Sequence, residues 1–311
     1  MLRYTVTRLL QGALMVFAVT ILVFSLLYLM PGDPVETMLG TRVEPERKAE
    51  IEHEMGLDRP IAEQYFDWLG DAVRLDFGKS ITTKLPVMQS LKNRIPVTLR
   101  LSVTALIVEL LIAIPLGVLA AYRKDGLYDR LVIALSTFFQ SIPNFWIAIL
   151  LILFFSIKLR WFPVNGIGTM KHYVLPVISV TLAGIAGALR MTKNEVLDVL
   201  HENYINAAYA KGLPSRKVAV NHVLRNSLTA VTVMIFMQIP WLISGSVIIE
   251  NVFAIPGMGT LMTNAITAQD FPVVQACILI IAVLTVVFNL LGDIVSAILD
   301  PRIRVAISGG A

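Results

Sequence analysis

The chain has 311 residues, of which 56% are hydrophobic and only 15% are charged, and its mean hydropathy is +0.72. A soluble domain normally carries about 25% charged residues, so this composition excludes a large soluble domain and favours a membrane protein with several spans. The net charge of +4 is the modest excess expected when short cytoplasmic loops hold the Lys and Arg residues, so it requires no nucleic acid partner. The single cysteine, Cys277, excludes an internal disulfide and a cysteine-based metal site.

The N-terminal segment predicts a retained membrane span rather than a secretory signal. Arg3 and Arg8 precede an apolar run at residues 9–30. That run of roughly 22 residues is long enough to cross a bilayer and longer than a typical signal core. It ends in LMPGDP, which contains no small-x-small cleavage site.

Five further apolar segments complete a six-span, all-α membrane protein. Each approaches the ~20 residues that a helical span needs, and lipid offers no partners for open strand backbone. With six spans, both termini lie on the same side. The predicted segments are 98–122, 131–157, 173–190, 229–250 and 273–299.

Positive charge in the short loops predicts which side is cytoplasmic. Lys and Arg are concentrated at the chain ends, between spans two and three, and between spans four and five, whereas loop 251–272 has none. Loop 158–172 is the exception, with Lys158, Arg160 and Lys171. The distribution predicts that both termini lie on the cytoplasmic side.

The long segment that follows the first span is predicted to form a helical cap on the outer membrane surface. Residues 44–55 and 60–75 have helical apolar spacing, with Ile61, Tyr65, Trp68 and Leu69 on one face. The chain therefore divides into residues 1–30, an extracytoplasmic loop at 31–95, and a five-helix core at 96–311.

The string DFGKS at 76–80 resembles part of a phosphate-binding loop but does not meet its requirements. A Walker loop needs a glycine five positions before Gly78, where this chain has Val73, and a preceding strand. We expect a turn in the outer cap and no nucleotide bound by this chain.

Acidic residues within spans are costly in lipid and are often functional. Glu109 lies in the second span and Asp293 in the sixth, whereas Glu250 and Asp270 lie at or beyond span ends. In one interpretation Glu109 and Asp293 line a water-filled path. In the other they are hydrogen-bond partners between helices and fix the packing. The pattern favours packing.

Prolines and glycines inside or beside the spans predict kinked helices packed closely around a path. Asn144 and Trp146 lie beside Pro143, and Gln238 lies two residues before Pro240. These three polar or aromatic side chains are candidates for lining that path, and Trp146 is equally suited to anchoring at an interface.

Residues 191–228 contain a basic segment with a break in its middle. Gly212 suits a helix C′ position and Pro214 the start of a second helix, so two short helices meet at a tight corner. In the second helix, Val220, Val223, Leu224 and Leu228 share one face, and Lys217, Asn221 and Arg225 share the other. The spacing alone suits both a membrane-surface helix and a docking elbow in which Ala207, Ala208 and Gly212 let a partner approach closely.

Motifs along the whole chain resemble those of permease subunits of binding-protein-dependent ABC importers of the dipeptide, oligopeptide and nickel type. Residues 206–212 match the EAA loop of that family in spacing, and HVLRN at 222–226 resembles its H-x-L-R-N run. The other matching strings, in chain order, are PGDP, GLDRP, DFGKS, IPNFW, FAIPGMG, DFPVVQ and DPRIR. Two positions depart from the family pattern: Asn206 replaces the usual acid, and Ala230 replaces a common proline.

The resemblance implies a type I importer permease fold and a non-catalytic role in alternating access. It implies a second, similar permease, two cytoplasmic ATPase subunits that bind ATP and Mg²⁺, and an extracytoplasmic solute-binding protein. The coupling residues that it implies are Asn206, Ala207, Ala208, Lys211, Gly212, Leu213 and Arg216. The implied solutes are peptides or nickel and metal chelates, with no cofactor in this chain. The alternative is an ATP-independent channel or ion-coupled carrier that uses Glu109 and Asp293.

Overall fold

The computed structural model describes residues 2–29, 46, 53 and 58–299, and helices account for most of them. Within that part of the chain the only β-type pairing is an isolated bridge between Lys79 and Pro86. The helices are α1 (Leu2–Leu29), α2 (Ile61–Val73), α3 (Val87–Tyr122), α4 (Leu127–Ser141), α5 (Asn144–Leu151, continued by a π-helical segment, Ile152–Lys158), α6 (Met170–Leu200), α7 (Asn203–Ala210), α8 (Ser215–Val218, continued by a π-helical segment, Ala219–Leu224), α9 (Arg225–Val252), α10 (Met258–Thr267) and α11 (Phe271–Leu299).

The six predicted spans correspond to four single helices and two bent pairs. Helices α1, α3, α6 and α11 are each long and apolar enough to cross a membrane. The bent pairs are Leu127–Ser141 with Asn144–Lys158, and Ser215–Val233 with Gln238–Val252. With 31 residues, α6 is about 46 Å long, so it extends beyond a hydrocarbon core of about 30 Å.

The third span is not the single helix that its continuous apolar pattern predicts. Ile142 adopts an extended conformation, because the ring of Pro143 disfavours the helical region for the residue before it. The two halves consequently meet at 96°. Pro96, Pro115 and Pro176, by contrast, lie inside continuous helices, whereas Pro240 follows the 49° bend of α9.

The packing of α3 against α6 is the most extensive helix contact in the fold. Small side chains line it, including the fully buried Ala113 of α3 and Ala188 of α6. At Gly117, a Cβ atom would lie 2.8 Å from the carbonyl oxygen of Leu189 and 2.9 Å from Cβ of Thr192. The close approach of the two backbones therefore depends on the absence of a side chain at Gly117.

Helices α1 and α11 run antiparallel along one side of the molecule. Arg8 pairs with Asp293 near one end, and Gln275 Nε2 donates to the carbonyl of Val23 near the other at 3.3 Å. A Cβ at Gly12 would approach Val286 to 2.9 Å, so this contact too is close.

The helix predicted at 60–75 is present as α2, which packs against the end of α1. The hydroxyls of Tyr65 and Thr20 lie 2.8 Å apart, and the Tyr28 hydroxyl donates to Gln64. Ile61, predicted to share the apolar face, is instead 60% exposed. The predicted helix at 44–55, the PGDP motif at 31–34 and the DPRIR motif at 300–304 lie outside the described residues, apart from Glu46 and His53.

The DFGKS string forms the predicted turn, and its last residue is tied to the start of α11. Gly78 adopts a φ of +68°, and its N–H donates to Asp76. The Ser80 hydroxyl donates to Asp270 at 2.5 Å, and the N–H of Ile81 donates to the same carboxylate at 3.0 Å. Helix α3 then begins at Val87, so the predicted boundary at 95/96 falls inside it.

We predict that Gly117→Ala lowers the free energy of unfolding by about 1–3 kcal/mol, because the added methyl group meets the backbone of α6. Thermal unfolding of the purified subunit in detergent measures this change. Gly245→Ala in α9 is the control, since no described atom lies within 4 Å of the position that a Cβ would take there, and it should stabilise by up to about 1 kcal/mol. Equal effects of the two substitutions would contradict the packing role of Gly117.

Candidate functional site: the elbow between the fourth and fifth spans

Helices α7 and α8 form a tight corner, here called the elbow (residues 203–224). Gly212 has a φ of +74°, the left-handed conformation that favours glycine. The N–H of Leu213 donates to the carbonyl of Ala208 at 3.3 Å, and that of Gly212 donates to Tyr209 at 2.9 Å. This Schellman arrangement ends α7 and confirms the prediction that Gly212 lies just past its C-terminus.

The inner side of the elbow packs on the ends of α3 and α6. Ile205, Ala208, Val218 and Val223 are buried together with Ala121 and Val196, with the half-buried Leu213 packed against them. The structure corrects the prediction for Ala208. Its side chain is only 6% exposed because it faces this apolar cluster, so it cannot give a partner close access.

The second corrected residue is Val220, which was predicted to share an apolar face with Val223. Residues 219–224 form a π-helix, so inward-facing positions fall five residues apart, at Val218 and Val223. Val220 is 51% exposed as a result.

The outer side of the elbow presents a small, basic surface. Of the residues predicted to couple to a partner, Asn206, Ala207, Lys211, Gly212 and Arg216 are exposed. A partner could approach closely at Ala207 and Gly212, where little side chain intervenes, and Lys211 and Arg216 favour an acidic counterpart.

Two polar contacts join α6, next to the elbow, to α4. Lys193 forms an ion pair with the buried Asp129 at 2.6 Å, and the N–H of Asp125 donates to the same carboxylate at 2.9 Å. The guanidinium of Arg190 donates to Gln140 at 2.8 Å. A displacement of the elbow would therefore be carried to α3, α4 and α6 together.

Glu109 and Gln238 come together inside the subunit. Glu109 is 1% exposed, and a Cβ atom at Gly184 would lie 2.6 Å from its Oε2, so the carboxyl group rests on the backbone of α6. Gln238 reaches it from α9, on the same side of α6. Neither carboxyl oxygen of Glu109 has a hydrogen bond of good geometry to a described residue. The pair lies where α3, α6 and α9 meet.

The other three predicted path residues lie elsewhere. Asn144 and Trp146 occupy the first turn of α5, at the 96° break, and Trp146 is 48% exposed. Asp293 lies in a groove between α1 and α11 of about 250 Å³, where Arg8 Nε is 3.3 Å from its Oδ2. Asp293 thus acts as an interhelical partner of Arg8.

Glu250, which lies at or beyond the end of a span in the sequence analysis, is a buried carboxylate with several hydrogen-bond partners. It is fully buried and accepts hydrogen bonds from the Thr98 hydroxyl at 2.6 Å and the Gly259 N–H at 2.7 Å. Thr98 also accepts a bond from the N–H of Met258 at 2.8 Å. Cβ atoms at Gly257 or Gly259 would lie within 3 Å of the carboxylate. The two glycines in FAIPGMG are the sequence signal that could have identified this site.

The described residues are almost all helical and contain four to six candidate spans. A basic elbow, backed by an apolar cluster, lies between two of these spans. These are features of the membrane subunit of a transporter that a separate, water-soluble subunit drives. Comparisons with known proteins agree. Residues 113–305 match the family described as binding-protein-dependent transport system inner membrane component, and residues 1–102 match the N-terminal family of the same systems. The chain belongs to this family of ABC importer permeases, in which separate subunits hydrolyse ATP. This favours the permease over the channel or carrier interpretation.

The similar proteins include relatives that align over almost the whole chain. A putative peptide transport system permease of Brucella abortus is 38% identical over 96% of this chain and 97% of its own. The oligopeptide permease AppB of Bacillus subtilis is 38% identical over 98% and 100%. The di/tripeptide permease DppB of Pseudomonas aeruginosa is 36% identical over 93% and 94%.

A solved structure supports the fold. A chain of the MetNI methionine ABC transporter, in inward-facing conformations, superposes with a TM-score of 0.56 and 18% identity, over 68% of this chain and 97% of that one. The type I importer permease fold is therefore confirmed. Among the described residues, no group of three or more His, Cys, Asp or Glu side chains could hold a metal ion.

We predict that Glu250→Ala lowers the free energy of unfolding by about 2–4 kcal/mol, because the Thr98 hydroxyl and the Gly259 N–H both lose a buried acceptor. Glu250→Gln should cost less, since one oxygen still accepts. Thermal unfolding in detergent measures both, with the exposed Glu63→Ala in α2 as a control expected to change stability by less than about 0.5 kcal/mol. A loss from Glu250→Ala no larger than the control's would contradict the role of this carboxylate.

Proposed function

We propose that this permease moves di- or oligopeptides into the cytoplasm, after an extracytoplasmic binding protein delivers them. The supporting observation is that relatives aligned over nearly the whole chain are named as oligopeptide and di/tripeptide permeases. Metal-chelate solutes have less support, because the spans bring together no cluster of His or Cys among the described residues that would ligate a bare metal.

The complete transporter in this proposal contains a second homologous permease, so that the two form a heterodimer, and two ATPase subunits that bind ATP and Mg²⁺. The elbow docks into a groove of one ATPase on the cytoplasmic side, where both termini also lie. The exposed Ala207 and Gly212 permit close contact, and Lys211 and Arg216 supply charge. Asn206 contributes a neutral hydrogen-bonding group where the family usually has an acid.

The elbow acts as the handle through which ATP binding changes the conformation of the spans. Its apolar side is packed into α3 and α6, and the Lys193–Asp129 ion pair extends the connection to α4. Nucleotide that binds one state of the ATPase pair more tightly than the other shifts the spans between inward- and outward-facing arrangements. No chemical step in this chain is required.

The translocation path in this proposal passes the break in the third span. Asn144 and Trp146 are partly exposed there, in the first turn of α5. Glu109 and Gln238, buried between α3, α6 and α9, set the positions of those helices, and Asp293 does the same for α1 and α11 through Arg8.

We predict that Ala207→Asp weakens recruitment of the ATPase at least about tenfold, because it buries an unpaired charge against the partner. Co-purification of the ATPase with the tagged permease, followed by ATP-driven uptake, measures the loss. Ala62→Asp is the control, since it adds the same charge to an exposed alanine of α2, on the far side of the molecule from the elbow. Unchanged recruitment by Ala207→Asp would sink the docking proposal.

We predict that Glu109→Gln leaves assembly intact and uptake within about twofold of wild type, because the amide keeps the shape of a group that packs on Gly184. Gly184→Ala should instead lower thermal stability, since its methyl group displaces the Glu109 side chain. A Glu109→Gln complex that assembles fully but loses most of its uptake would give Glu109 a direct role in the path.

A further inference from the structure

A cavity of about 570 Å³ opens on the side of the molecule opposite the elbow. Its walls include Arg100 and Thr104 of α3, Gly168 and Thr169 of the segment before α6, and Tyr173 of α6. No acidic side chain among the described residues lines it. The mechanism described above gives no role to any of these residues.

The cavity has two groups able to bind an anion. The Arg100 guanidinium is exposed and forms no ion pair with a described residue. The Tyr173 ring packs on the apolar cluster below, while its hydroxyl makes no hydrogen bond to a described residue. The Thr104 hydroxyl already donates to the carbonyl of Arg100 at 2.7 Å, so Arg100 and Tyr173 are the remaining side-chain donors of the wall on α3 and α6.

Backbone contacts hold the far wall of the cavity in place. Gly166, with a φ of +85°, donates its N–H to the carbonyl of Phe253 at 2.8 Å. The Thr169 N–H donates to His172 Nδ1 at 3.1 Å, which fixes the first turn of α6. The wall is therefore attached to both α6 and the turn that follows α9.

The loop that forms one wall of this cavity is the exception in the loop charges. Loop 158–172 carries Lys158, Arg160 and Lys171, although the charge rule for membrane loops favours cations on the cytoplasmic side. Lys171 lies between Met170 and Tyr173, both of which line the cavity. The charge rule does not account for these cations, and they can attract an anion to this surface.

The face of α3 below Arg100 continues as an uncovered apolar groove of about 360 Å³ that includes Ile107, Leu111 and Pro115. The spacing of these residues puts them on the same face of α3 as Arg100. A guanidinium group that faces the hydrocarbon core is costly, whereas one that faces a water-filled path is not. A cationic opening next to an apolar groove suits the C-terminal end of a peptide, because its carboxylate can lie at Arg100 and its side chains can lie in the groove.

We propose that this cavity receives the C-terminal carboxylate of the peptide as it leaves the binding protein, with Arg100 as a specificity-determining residue. This inference rests on the proposed peptide transport. Arg100 binds the carboxylate through paired N–H groups, and the Tyr173 hydroxyl donates a further hydrogen bond. A phospholipid phosphate has similar chemistry, and the test separates these two sources.

The test is ATP-driven uptake by the complete transporter in proteoliposomes, with its binding protein, of one peptide as the free acid and as the C-terminal amide. Any preference of the binding protein is common to all permease variants, so it cancels when the acid-to-amide ratio is compared between them. Arg100→Gln should lower that ratio about tenfold, as expected for the loss of one charge-assisted hydrogen bond. Arg100→Lys should restore part of it, and Tyr173→Phe should lower it less.

The control is Lys92→Gln, which removes an exposed cation from the same helix outside the cavity and should leave the ratio unchanged. Size-exclusion chromatography and basal ATPase activity check that each variant assembles. The inference is overturned if Arg100→Gln lowers uptake of the acid and of the amide by the same factor, or if it changes uptake of neither peptide. The proposed peptide transport stands in both cases.

The lipid source is tested by repeating the assay in vesicles with and without phosphatidylglycerol. An effect of Arg100→Gln that depends on this anionic lipid and not on the peptide terminus would assign the cavity to a headgroup and overturn the inference. An assembled wild-type transporter that takes up neither peptide would overturn the proposed function, and the inference with it.

Discussion

The loop side of this permease depends on one buried carboxylate, that of Glu250. Its acceptor oxygens join α9, which carries it, to Thr98 of α3 and to the N-terminus of α10 through Gly259. The negative charge also suits the positive end of the α10 dipole. Because the turn that follows α9 is fixed in this way, Phe253 is held where it anchors Gly166, and with it the wall of the outer cavity. Gly257 and Gly259 are required because any side chain there would enter the space of the carboxylate.

The two ends of the subunit are held by different kinds of interaction. On the loop side, carboxylates accept backbone and hydroxyl hydrogen bonds, at Glu250 and again at Asp270. On the elbow side, an apolar cluster and a left-handed glycine shape the corner. Between them, α3 and α6 touch through glycine and alanine, with few side chains to deform. In the proposed mechanism, motion at the elbow would reach the loop side through these closely packed helices.

Sequence patterns predicted the spans, the turn at DFGKS and the position of Gly212 just past the end of α7, because hydropathy and backbone conformation are local properties. The break at Ile142 was missed because the apolar run is continuous across it, and the exposure of Val220 because a π-helix changes the period. The burial of Ala208 depends on α3 and α6, which are distant in sequence. Glu250 was ranked low because Thr98, one of its hydrogen-bond partners, lies 152 residues away.

Polar groups in the spans are of two kinds: the first kind contacts other helices of the same chain, and the second kind is left exposed by it. Glu109, Glu250 and Asp293 each contact other helices of the same subunit. Arg100 and Trp146 are left uncovered by the chain that carries them. In the proposed heterodimer, a path between the two permeases is lined by groups of the second kind. The ionisable residues most conspicuous in the sequence then position the helices, and contact with solute falls to residues at the mouth and at the helix break.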